Sequence, residues 1–101
     1  MHKQKILEGI YEFCDRQHDS PGWPSDAAKA ELFRIFVMAQ ESDVPVPSNV
    51  IRADLAMRMD RLNRWDRDMQ LFVENVCAMW SEWEYAIKHF TGAMVDIGGS
   101  G

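Results

Sequence analysis

The sequence predicts an all-α fold: a small bundle of three to four helices, the last of them long and heptad-patterned. Three observations carry the prediction. Apolar residues recur at spacings of three and four in three separate segments. Pro and Gly cluster between those segments, at His18–Pro24 and Asp43–Pro47. From Ser48 to Thr91 the chain contains neither Gly nor Pro. The length of 101 residues fits one domain. An apolar fraction of 47%, with four Trp, five Phe and seven Met, supplies enough surface to offset the entropy of ordering. The domain is expected over residues 1–91, with 92–101 a flexible Gly-rich tail or an added linker.

The first helix is expected around Ile6, Leu7, Ile10, Phe13 and Cys14, which share one face. Gly9 interrupts this pattern at a cost of up to about 1 kcal/mol relative to Ala, which predicts close packing there. The second helix is expected from about Asp26 to Glu41, capped by Ser25, with Ala28, Leu32, Ile35, Phe36 and Ala39 facing inward. Phe33 and Val37 widen that face, which suggests burial on more than one side.

Ser48 or Asn49 can cap the third segment, just after Pro47. Written as a heptad, its a positions are Leu55, Leu62, Met69, Val76, Trp83 and Phe90, and its d positions Ile51, Arg58, Trp65, Phe72, Met79 and Ala86. Met59, Val73, Trp80 and Ile87 add a third apolar column, wider than a two-stranded seam. Two outcomes are open. Either one helix of roughly 60 Å extends and pairs with another chain, or the segment bends near Leu62-Asn63-Arg64, where a weak helix former sits beside dense charge.

Charge and motifs narrow the function. The net charge is −5. Its only basic-leaning stretch, 48–68, sets five Arg against four Asp, so there is little surplus to neutralise phosphates. A helix-turn-helix reading places Ser48–Leu55 as recognition helix of a small DNA-binding regulator. Its connector is longer than the usual 3–4 residues, and Asp54 and Asp60 face phosphates unfavourably. Nucleic acid is therefore the alternative partner. No apolar run reaches the 18 residues of a membrane span. Two Cys do not make a disulfide framework, so a reduced, cytoplasmic chain is expected.

Cys14, Asp15 and His18 are spaced to share a helix face, yet zinc needs three or four ligands and no further paired motif supplies them. No nucleophile elbow, phosphate loop or zinc-protease motif is present, so neither enzyme activity nor a cofactor or metal is expected.

The expected function is a non-catalytic protein–protein interaction module, self-associating as a homo-oligomer through the 51–90 stripe. It would act as an adaptor, or as a small inhibitor that occupies a partner's surface. In size and composition alone the chain is similar to phage-encoded inhibitors of host machinery such as anti-CRISPR proteins. The expected partner-binding residues are Arg58, Arg61, Arg64, Trp65, Trp80 and Trp83. Arg58 is the one polar group on the stripe, either a register-setting group or a stem lying over the core with its head on Asp54. Arg61, Arg64 and Arg67 form a slanted ridge, and the tryptophans are the anchors interfaces favour.

Overall fold

A computed structural model of the chain describes residues 3–19, 25–42 and 46–100, with side chains as far as His89. The turn at 20–24, the break at 43–45 and the side chain of Phe90 lie outside the described residues. Four helices follow in order: α1 (Lys3–His18), α2 (Asp26–Gln40), α3 (Ser48–Arg61) and α4 (Arg67–Ser100). α4 runs through the Gly-rich stretch where composition suggests a tail.

The chain makes two antiparallel helical hairpins. α1 and α2 pair, as the Arg16–Glu31 ion pair (2.8 Å) and the Gln17 donation to Glu31 (3.2 Å) show at one end. α3 and α4 pair, with Arg52 reaching Glu74 at 3.1 Å. α1 then packs on both α3 and α4. The core collects Ile6, Leu7, Ile10, Phe13 and Cys14 of α1, and Ala28, Leu32, Phe36 and Ala39 of α2. α3 adds Ile51, Leu55 and Met59; α4 adds Met69, Phe72, Val73, Val76, Cys77 and Trp80. Among the described residues no polar or charged residue is buried.

Local chemistry sets each end. Ser25, in extended backbone, caps α2 by accepting the Ala28 N–H at 3.1 Å. α3 differs from expectation, because Pro47 occupies the N-cap position and offers no side-chain acceptor. Ser48 is instead the first helical residue, and α4 supplies the missing partner. The Ser48 backbone N–H donates to the Glu84 carboxylate, and the Ser81 hydroxyl donates to the Ser48 hydroxyl at 2.7 Å.

The long third segment is two helices. α3 stops at Leu62, and Asn63 takes a left-handed φ of 56°. The Arg64 N–H then reaches back to the Met59 carbonyl (2.8 Å) and the Asn63 N–H to that of Asp60 (3.0 Å), closing a Schellman motif. Asn tolerates this conformation better than any residue but Gly. Asp66 restarts the helix, its carboxylate accepting the Met69 N–H at 2.8 Å. A stripe that would need a partner as one rod therefore folds back and covers much of itself.

Candidate protein-interaction surface

The six residues expected to bind a partner do not converge. α3 starts beside Cys77 and Ser81 of α4, and its 14 residues run about 21 Å away from that end. Arg58, Arg61, Arg64 and Trp65 thus lie at one end of the bundle, Trp80 and Trp83 at the other.

Most of them are already engaged within the protein. Arg58 is half-buried; its Nε donates to Asp54 at 2.8 Å and its Nη2 to Gln4 at 3.4 Å, with the guanidinium 5.8 Å from the Tyr11 ring. Arg64 binds Asp15 and Asp19, fastening the α3–α4 connector to the end of α1. Trp65 packs against the core, and Arg61 is exposed. Trp80 requires a correction: it is 0% exposed and offers a partner no surface. Its indole N–H donates to the Val46 carbonyl at 3.0 Å, and its ring stands edge-on to Phe36 at 5.1 Å. Trp83, one turn on, is only partly buried and meets Phe33 edge-on at 5.1 Å.

Of the described large apolar residues that face outward, three come from α2 and three from α4 (Leu71, Tyr85 and Ile87), with Met57 on α3 and Leu62 just after it. Phe33 is 43% exposed, Val37 38% and Met38 41%. The width of the α2 face is thus not burial on a second side. On one flank Phe33 meets Trp83, while on the other Ile35 and Met38 border α1. The signal was present in the sequence as two apolar residues too many for one core face. The missing information was that, among the described residues, no further helix comes to cover them.

Between α1 and α2 lies an open groove of about 300 Å³ lined by Lys5, Ile6, Glu8, Gly9, Glu12, Ile35 and Met38. Gly9 shapes it, since a Cβ built there would meet nothing within 4 Å. The close packing expected at Gly9 is not made within the chain.

Titratable groups show little chemical readiness. Burial, then the nearby Cys77 and Asp15, push the Cys14 thiol far above its usual range. Burial pushes Cys77 up to about 11 despite the opposing charge of Arg52. Both thiols stay protonated at neutral pH, the form that neither attacks nor binds metal. The hydrogen bond from His18, helped by Arg64, holds Asp19 below the usual carboxylate range. Burial raises Glu84 against the bond from Ser48. Among the described residues no three His, Cys, Asp or Glu side chains gather as a metal site.

α2 packs chiefly on α1, and α3 on α4 and α1, so among the described residues the two helices of the helix-turn-helix reading share α1 as a neighbour and barely touch each other. Among the described residues no helix is long and apolar enough to cross a membrane. No family model, curated protein or solved structure matches the chain.

Proposed function

We propose that the chain is a non-catalytic protein-interaction module, acting as an adaptor or as a small inhibitor that occupies a partner's surface, and able to self-associate. One observation carries the reading: Phe33 and, one turn on, Val37 stand exposed on α2, with Phe33 set edge-on against the partly covered Trp83 at the margin of the core. Apolar groups grouped on a surface mark interaction sites more than scattered ones do, and a partly buried Trp flanked by aromatics has the make-up of an interface anchor. The exposed Met38 suits an adaptable contact, because its unbranched side chain fills irregular gaps.

The test compares wild-type protein with a Phe33→Ser/Val37→Ser variant as baits in quantitative affinity capture from the source cells. The reading expects a protein held by the wild type to fall about tenfold or more with the variant, while circular dichroism and the melting temperature stay close to wild type. Equal recovery of every captured protein by both baits overturns it.

A further inference from the structure

α4 is 34 residues long, about 51 Å, whereas α1, α2 and α3 have 16, 15 and 14 residues, about 21–24 Å each. The polar stitching to α3 ends at Glu84, and from Tyr85 to His89 every residue is exposed. Ile87 lies one turn beyond Trp83 and two beyond Trp80, so it continues the column that the bundle buries, yet it is 41% exposed. The core-facing side of α4 thus outruns the protomer's own helices.

The α1–α2 groove has the opposite deficiency, an apolar floor without an occupant. The C-terminal half of α2 that lines it also carries Phe36 against Trp80 and Trp83. The charges are complementary. The groove rim has Glu8 and Glu12 against Lys5, while the overhang at 85–89 carries Lys88 and His89 and no acid. α4 is one unbroken helix, so its end does not turn back into its own groove. Pairing two overhangs side by side would set Lys88 near its own copy.

We propose that the overhang of α4 docks in the α1–α2 groove of a second copy, reciprocally, giving a two-fold dimer in which each copy lends Ile87 and Lys88 and receives them over Gly9, Ile35 and Met38. Such an interface is isologous and closed. It gives Gly9 a role: a helix without a Cβ at the floor lets the visiting helix come close. The proposal rests on the reading of the chain as a self-associating interaction module.

Light scattering coupled to size-exclusion chromatography, over a concentration series, tests it on the full chain. Wild type is expected at twice 11.7 kDa. Gly9→Arg puts bulk and a like charge opposite Lys88 at a position where an added Cβ meets nothing within 4 Å, and Ile87→Glu removes the apolar tip from an exposed site. Each is expected to weaken dimerisation about tenfold or more with helicity and melting of the dissociated protein retained. Mixing the two restores a dimer, since the sound groove of one receives the sound overhang of the other. A monomeric wild type, a Gly9→Arg protein that dimerises like wild type, or no restoration on mixing overturns the proposal. The Phe33→Ser/Val37→Ser capture experiment tests the other flank of α2, so either reading can fail without the other.

Discussion

The two hairpins are built from similar apolar residues, yet they close differently. In the α3–α4 hairpin the contact is filled and then stitched. Trp80 bonds the Val46 carbonyl, the Cys77 thiol reaches the Ser48 carbonyl at 3.8 Å, and Ser81 and Glu84 meet Ser48. The described polar ties of the α1–α2 hairpin lie at one end, through Glu31, and the other end opens into the groove beside Gly9. α2 also leaves Phe33, Val37 and Met38 in water. The α3–α4 hairpin in turn leaves Met57, Leu62, Leu71, Tyr85 and Ile87 exposed, so the two hairpins differ in how they are tied and in the groove rather than in how much apolar surface they show.

Trp80 offers the sharpest way to break that contrast. It is the largest of the fully buried side chains and joins α4 to Val46 and Phe36. Trp80→Ala is expected to destabilise the protein by about 3–5 kcal/mol, read as a fall in the denaturation midpoint at unchanged m-value. Trp80→Phe keeps part of the packing but strands the Val46 carbonyl, and should cost less than the alanine variant. A loss from Trp80→Ala no larger than that from Phe33→Ser would mean the two hairpins share the burden equally.

Gly9 probes the open hairpin, with the opposite sign. A methyl group there meets nothing within 4 Å, so Gly9→Ala keeps every contact and removes the entropic cost of a mid-helix glycine. The expected gain is about 0.5–1 kcal/mol, measured by chemical denaturation under dissociating dilution so that assembly does not contribute. A loss instead of a gain would show that α1 and α2 close over this position in solution.

Much of this contrast was legible in the residues, and its limit has a physical cause. The faces of α1 and α2, the Ser25 cap and the all-helical class follow from periodicity and local hydrogen bonding, which depend on neighbours in sequence. The split of the long segment was half legible. Asn63 and its charged surroundings mark a weak point, but whether the chain turns there depends on the Schellman closure and on the gain from laying α3 against α4. Trp80 and Trp83 are three apart on one apolar stripe and look alike in sequence. Phe36 touches both, but their fates differ because the Val46 carbonyl takes the indole N–H of the first, while the second reaches the exposed Phe33. The arginines were harder still, since Arg64 finds Asp15 and Asp19 some 49 and 45 residues away.

The smallest expected effects concern two carboxylates with opposite pH signs. Asp19 belongs to the clasp between the end of α1 and the α3–α4 connector, and its folded pKa lies below the usual 3.8. The unfolded state therefore binds more protons in that window. The contribution of Asp19 is present above about pH 4 and is lost as pH falls through its folded value. Glu84 sits within the stitched hairpin, with a folded pKa raised above the usual 4.5 by burial. Here the folded state binds more protons, so stability declines as pH rises from 4.5 through the folded value. Asp19→Asn should flatten the acid limb of a stability-versus-pH curve, and Glu84→Gln should flatten the segment just above it. Because Gln can still accept the Ser48 N–H, Glu84→Gln should cost nothing at neutral pH. Parallel slopes in all three proteins would show that neither carboxylate differs between the folded and unfolded chains, and would separate the pH response from the contrast between the hairpins.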